Sequence, residues 1–139
     1  MASVKNVAKG VLVRRSLSLC KLSIDSGFYL EAIALTDSVI SECMNSVFFY
    51  SSDAPVRIKG INDGIRKLQS LNIEILDETL SADTLSWGKH RNSAIHGFTK
   101  LSEFDGADWD SRRLQVKLRA QEGYKLARRW LRESAKHKI

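Results

Sequence analysis

The chain has 139 residues, of which 43% are hydrophobic and 27% are charged; this balance is typical of one globular domain and excludes wholesale disorder. With 1 Pro, 8 Gly and 2 Cys, the composition excludes a disulfide framework and disfavours a β-sandwich or barrel, because those folds need many turn residues. The net charge of +6 is uneven: residues 1–24 carry +5 and residues 111–139 carry +8, whereas residues 25–110 carry −7.

The basic ends have two interpretations. If the terminal helices are neighbours, their outer faces form one positive surface that attracts polyanions through phosphate contacts and counterion release. Alternatively, the charges form a solvated face that keeps the protein soluble. Residues 1–24 also have the acid-free composition of a mitochondrial transit peptide. We expect instead an ordered segment in a cytoplasmic protein, because Cys20 and Cys43 fit reduced, buried residues and no run is apolar enough to span a membrane.

Apolar residues recur at helical spacing in five segments, which predict helices over residues 3–24, 28–50, 57–71, 84–101 and 109–136. Gly27, Pro55 and Gly106 mark the breaks, and residues 72–78 are either a helical extension or an extended connector. Because the helices are long and the connections short, we predict an all-α fold: a single-domain antiparallel bundle of four long helices plus one shorter helix over residues 1–139.

The segment Trp-Gly-Lys-His-Arg-Asn-Ser-Ala-Ile-His-Gly-Phe, residues 87–98, carries the candidate chemistry. At 100° per residue, Arg91 falls on an inward, mostly apolar arc of the helix, whereas Asn92 and His96 share a flanking stripe. A charge on an inward arc must be paired or must line a cleft. The pattern therefore predicts an anion site with a titratable imidazole beside it.

A structural interpretation of the same residues stays open. Arg91 would then pair with Glu31 or Asp37 of the second helix, and His96 would be a hydrogen-bonded core histidine, since structural networks also bury charge.

Two residues beside this motif, Lys89 and His90, point away from the inward arc and are candidates for phosphate contacts or plain exposed residues. No metal site or other cofactor is expected, because His90 and His96 lie about 240° apart around a helix and no C-x2-C pair exists. His137 is expected to be solvated in the basic tail. The three Trp residues are expected to be core anchors rather than base-stacking platforms.

The arrangement Arg91-Asn92-x3-His96 resembles the R-x4–6-H motif of HEPN domains, where the motif lies on a late helix of a four- or five-helix bundle and Asn often follows the Arg. The earlier Phe-Tyr-Leu-Glu-Ala pattern, residues 28–32, is similar to that family's early helix, which often carries an acidic residue near the site, here Glu31. The resemblance implies a metal-independent endoribonuclease that forms a homodimer, with two Arg…His motifs facing each other across a cleft.

The resemblance also implies a range of roles. Many members are toxins of toxin–antitoxin pairs or antiviral effectors, which implies a regulatory protein partner, and many others have lost catalysis and bind RNA, nucleotide or a protein partner. A toxin subgroup has Tyr two residues after the His, where this sequence has Phe98. Regulation by modifying that Tyr is therefore not expected here.

The residue types fit RNA cleavage, because RNA carries its own nucleophile in the 2′-OH. A histidine with an ordinary pKa near 6.5 can move protons at neutral pH, and a guanidinium is a permanent, forked donor to phosphate oxygens. Together with the resemblance, this chemistry predicts an endoribonuclease, with a catalytically silent binding module as the alternative. The predicted roles are catalysis for Arg91, Asn92 and His96, support for Glu31, and RNA contact for Lys89 and His90.

Overall fold

The computed structural model describes residues 4–99 and 109–138, except for the side chains of residues 4–8 and 99. Within those residues the secondary structure is entirely helical, which confirms the all-α prediction. The five helices are α1 (Val4–Asp25), α2 (Tyr29–Ser51), α3 (Ile61–Ser70), α4 (Leu80–Thr99) and α5 (Trp109–Lys136). The predicted loop around Gly106 and the predicted helix end at Leu101 lie outside the described residues.

Two helix starts differ from the predicted ones, and for α3 a local hydrogen bond accompanies the change. Helix α3 begins at Ile61 rather than at Arg57. The residue before it, Gly60, has a non-helical φ of 153°, and the Asp63 carboxylate accepts a hydrogen bond from the Lys59 amide at 2.8 Å. Helix α4 begins at Leu80 rather than at Thr84. The ambiguous residues 72–78 form a non-helical connector.

The α1–α2 and α4–α5 pairs are antiparallel, as predicted. Lys9 near the start of α1 pairs with Glu42 late in α2 at 2.7 Å, and Cys20 near the end of α1 lies 3.2 Å from the Thr36 hydroxyl. In the second pair, the Trp130 indole late in α5 donates to the Thr84 hydroxyl early in α4 at 2.9 Å, and Arg112 early in α5 donates to the Gly97 carbonyl late in α4 at 3.1 Å.

Helices α2 and α5 pack most extensively of all, and they run parallel to each other. Arg113 stacks on Tyr29 near the beginning of both helices, and His137 meets Ser51 near the end of both. Their close approach depends on Gly123, because a Cβ there would lie 2.9 Å from the Thr36 methyl carbon and 2.5 Å from the Trp87 ring. The closest helix packing in the bundle is therefore between two parallel helices, whereas the short connections predict antiparallel neighbours.

The core contains Trp87 and Trp130, which confirms two of the expected anchors, whereas Trp109 is 40% exposed and packs against Phe98. Cys20 and Cys43 are buried free thiols, as predicted. None of the described helices has the length and apolarity that a bilayer span requires.

The prediction for His137 is wrong. Its Nε2 lies 2.7 Å from an Oε2 atom of Glu133, and only 11% of its side chain is exposed. It was expected in solvent because basic residues surround it in the sequence, but the end of α5 packs against α2 and the connector before α4.

Candidate functional site

Helix α4 is fixed on α5 by the indole that opens the candidate motif. Trp87 is 2% exposed, and its Nε1 donates a hydrogen bond to the Arg119 carbonyl at 2.8 Å. Since the indole bond fixes the rotation of α4, it also decides which motif side chains face α2 and which face solvent.

The Arg91 guanidinium is held from three sides. Nη1 donates to Oδ1 of Asp37 on α2, Nε donates to Oδ1 of Asn92 at 3.1 Å, and the guanidinium carbon lies 5.1 Å from the centroid of the Trp87 ring. Its side chain is 15% exposed, in agreement with the inward arc predicted for it. Cation–π contact and ion pairing together orient a guanidinium with little freedom.

The acidic partner of Arg91 is therefore Asp37, one of the two carboxylates considered from sequence. Burial raises the pKa of Asp37, and the neighbouring Arg91 offsets only part of that effect, so the pKa lies above its ordinary value. Glu31, the other carboxylate, is exposed in the first turn of α2. A supporting role for Glu31 stays a prediction.

Asn92 and His96 are both exposed on α4, so the interpretation of His96 as a core histidine is excluded. Along a helix, His96 stands about 7.5 Å and about 140° from Arg91, whereas Lys89 and Asn92 lie within about 40° of the His96 direction. The structure thus brings Arg91, Asn92 and Asp37 together and sets His96 on a neighbouring, solvent-facing side of the same helix.

Lys89 and His90 are exposed, as predicted, but on different sides of α4. Lys89 shares the face of His96, whereas His90 is about 120° from it around the helix. Among the described residues, no group of three or more His, Cys, Asp or Glu side chains could hold a metal ion.

Arg112 on α5 is a candidate that the sequence did not reveal. Its Nη1 donates a hydrogen bond to the Gly97 carbonyl at 3.1 Å, which brings a second guanidinium beside the residue that follows His96. The basic composition of α5 was visible in the sequence, but the register that brings Arg112 against the end of α4 is a tertiary property.

A cleft of about 710 Å³ lies elsewhere, between the first half of α1, the end of α2, residues 52–58 and the end of α5. None of the predicted site residues lines it. The motif is therefore presented on an open helix face rather than inside that cleft.

In comparisons with models of protein families, with curated proteins and with solved structures, nothing matches this chain. The proposed function therefore rests on the geometry of this site and on the resemblance carried by its motif.

Proposed function

We propose that this chain is a metal-independent endoribonuclease of the HEPN type, with Arg91, Asn92 and His96 as its catalytic residues. The observation that carries the proposal is the exposure of His96 on the same helix as an oriented guanidinium. An imidazole enclosed by hydrocarbon could not reach a ribose, whereas an exposed one can approach a 2′-OH directly or through one water.

The geometry favours a site completed by a second copy of the chain. Arg91 and His96 point about 140° apart on one helix, so a single phosphodiester is not easily held by both within one subunit. In a homodimer that brings two copies of α4 together, Arg91 of one copy would lie opposite His96 of the other. The HEPN resemblance implies the same arrangement.

The proposed reaction uses the nucleophile of the RNA itself. One His96 accepts the proton of the 2′-OH, the 2′-oxygen attacks the adjacent phosphorus, and the bond to the 5′-oxygen breaks. The second His96 donates a proton to that leaving 5′-oxygen, so the products are a 2′,3′-cyclic phosphate and a 5′-hydroxyl. Arg91 donates hydrogen bonds to the phosphorane oxygens as their negative charge grows.

The polar residues around Arg91 and His96 have distinct roles in the proposal. Asn92, the third catalytic residue, accepts a hydrogen bond from Arg91 and stands on the His96 side of α4, so it links the other two. Lys89 shares that side, and Arg112 reaches the end of the helix, so both are suited to contact RNA phosphates. His90 is less well placed for that role, because it lies on another side of the helix.

The proposal is tested with labelled single-stranded RNA and purified protein in EDTA. We expect His96→Ala to lower the cleavage rate about 10²- to 10⁴-fold, which is the usual contribution of a general acid or base. His90→Ala is the matched control, since it removes an exposed histidine from the same helix, and it should retain the wild-type rate. Equal thermal unfolding of both variants shows that the fold is intact, and cleavage by His96→Ala at the wild-type rate contradicts the assignment.

A catalytically silent module that binds RNA, nucleotide or a protein partner is the second candidate, and one observation favours it. Asp37 already neutralises Arg91, so the guanidinium has a structural task that needs no substrate. This candidate predicts RNA binding without cleavage, with an affinity that falls in Lys89→Ala and with rising salt. Cleavage that depends on His96 excludes it.

The proposed location rests on the cysteines, and the proposed biological setting rests on the family resemblance. Two buried free thiols suit a reducing cytoplasm, where disulfides are rare. The HEPN resemblance suggests a toxin or antiviral effector restrained by a regulatory protein. A toxic phenotype on expression that disappears in His96→Ala would support that setting.

A further inference from the structure

Helix α1 presents an apolar ridge to solvent on the side away from the core. Leu12, Leu19 and Leu22 are 61%, 50% and 60% exposed, whereas Leu17 and Cys20 on the opposite side are buried. An exposed leucine gains none of the free energy that burial of its side chain would provide. A row of three such leucines on one helix therefore indicates an interaction surface.

The spacing of the ridge is that of a coiled-coil seam. Leu12, Arg15, Leu19 and Leu22 follow one another at intervals of three, four and three residues, which is the a–d pattern of two heptads. Arg15 occupies the one polar seam position, and it is exposed. A polar residue within an apolar seam specifies the partner and the register.

A groove lies beside the ridge and widens the surface. It has a volume of about 480 Å³ and is formed by Leu12, Val13 and Ser16 of α1 together with Ser38, Val39 and Glu42 of α2. Lys9, which pairs with Glu42, also lines it. Side chains of a helix laid along α1 can enter this groove, because knobs of one helix fill holes between residues of its neighbours.

The charges of α1 indicate the sign of the partner. Lys9 pairs with Glu42 and Lys21 pairs with Asp25, but neither Arg14 nor Arg15 forms an ion pair within the part of the chain that the structure describes. A partner residue opposite Arg15 should therefore be a carboxylate, because a guanidinium buried in an apolar seam without a counter-charge is strongly unfavourable.

The same argument disfavours a second copy of α1. A parallel pair would bring Arg15 against Arg15, and an antiparallel pair with the leucines in register would bring Arg15 against Leu19. Neither arrangement supplies a carboxylate to the seam.

We infer that this ridge is a docking site for an amphipathic helix of another protein, with leucines at heptad spacing and a Glu or Asp opposite Arg15. The ridge from Leu12 to Leu22 is about 15 Å long, so the partner helix needs about three turns to cover it. The inference goes beyond the proposed function and does not depend on RNA cleavage.

The test uses a defined probe, a fluorescent 21-residue peptide of three heptads. The peptide has leucine at every a and d position except one central d position, which holds Glu, and is used where sedimentation shows it to be monomeric. The matched control peptide has Lys in place of that Glu. Binding of each peptide to the full-length chain is measured by fluorescence anisotropy.

We expect the Glu peptide to bind and the Lys peptide to bind at least about tenfold more weakly. Leu19→Ser should also weaken the Glu peptide at least about tenfold, whereas Leu114→Ser, which changes an equally exposed leucine of α5, should not. Arg15→Glu should reverse the preference, so that the Lys peptide binds better than the Glu peptide.

Several results overturn the inference. The inference is overturned if the Glu peptide binds with a Kd above about 100 μM, or if it binds wild type and Leu19→Ser equally well. It is also overturned if Arg15→Glu still prefers the Glu peptide over the Lys peptide. Dimerisation of the chain that Leu19→Ser abolishes assigns the ridge to a second copy instead. Binding to anionic lipid vesicles that Leu19→Ser abolishes assigns it to a membrane surface.

Discussion

Two polar clusters of this bundle differ in how deeply they are buried. The Glu133 cluster consists of Glu133, His137, Ser51 and the amides of Leu76 and Asp77; the α4 cluster consists of Arg91, Asp37, Asn92 and His96. Glu133 is 1% exposed and accepts hydrogen bonds from the Leu76 amide at 3.0 Å and the Asp77 amide at 2.9 Å, while its Oε2 also lies 2.7 Å from His137 Nε2. In the α4 cluster, by contrast, His96 and Asn92 face solvent.

The difference separates a structural cluster from a candidate functional one. A buried carboxylate that accepts several hydrogen bonds from one connector fixes that connector in place. Exposed polar groups beside a fixed guanidinium cost little to keep in water and remain accessible to a ligand. The Glu133 cluster therefore has a structural role, whereas the α4 cluster is accessible to the ligand contacts that the proposed function requires.

The first prediction tests this comparison through stability. Glu133→Ala should lower the free energy of unfolding by about 3–5 kcal/mol, because it leaves two amides and His137 without their buried partner. Urea unfolding followed by circular dichroism measures the change. Glu133→Gln keeps the shape and one acceptor and should cost clearly less; an unfolding free energy of Glu133→Ala within about 1 kcal/mol of wild type contradicts the structural assignment.

The second prediction tests the comparison through activity. Arg91→Ala should lower RNA cleavage about 10²- to 10³-fold, because the phosphorane loses its guanidinium. Arg57→Ala, which removes an exposed arginine away from α4, should leave the cleavage rate unchanged. Full cleavage by a well-folded Arg91→Ala would show that the guanidinium is only a structural partner of Asp37.

The third prediction concerns the packing that orients α4. Gly123→Ala should destabilise the fold by about 1–3 kcal/mol, because the new methyl group overlaps the Trp87 ring and the Thr36 side chain. Gly10→Ala is the control, because a Cβ at this position meets nothing within 4 Å in the described part of the chain. This substitution should leave the stability of the fold unchanged or raise it. The unfolding temperature of Gly123→Ala should therefore fall clearly below that of wild type, whereas that of Gly10→Ala should not fall. Similar changes in the two unfolding temperatures would contradict the close contact at Gly123.

The fourth prediction uses pH, because the pKa values of Glu133 and Asp37 are shifted in opposite directions. Burial raises the pKa of Glu133, but hydrogen bonds from the Asp77 and Leu76 amides and from His137 outweigh it, so the pKa lies below its ordinary value of 4.5. Glu133 therefore stabilises the fold fully above its unfolded pKa, and this stability is lost as the pH falls through the lower, folded pKa.

Asp37 acts in the opposite sense. Because its folded pKa lies above the ordinary value of 3.8, the folded state takes up the proton first, and this group favours folding as the pH falls through that window. We expect Glu133→Gln to make the acid loss of stability shallower and Asp37→Asn to make it steeper. Urea unfolding between pH 3 and 7 measures both slopes, and a change of the same sign in the two variants contradicts the assignment.

Much of the fold was predictable because hydrophobic periodicity is a local property. The pattern of α2 predicted a helix over residues 28–50, and the structure has Tyr29–Ser51. Helix α4 begins at Leu80, four residues before the predicted start, and Asp83 in its first turn pairs with Arg129 of α5 at 2.8 Å.

In the candidate site, too, some features follow from local helix geometry and others depend on tertiary packing. The 100° rotation per residue predicts that Arg91 faces inward, and its 15% exposed side chain agrees. Asn92 and His96 are exposed, and His96 lies about 140° from Arg91 around the helix. Sequence alone left two partners open for Arg91, and it gave no sign of Arg112 beside Gly97. Both contacts depend on how one helix is translated along another.

By itself, the sequence determined the all-helical class, the helix faces and the Arg91–His96 spacing, because each follows from neighbours along the chain. Only the tertiary structure decided that α2 and α5 pack in parallel, that Asp37 receives Arg91, and that Glu133 and His137 are buried. These features are set by side-chain volumes at crossings such as Gly123, and close packing links residues that are far apart in sequence.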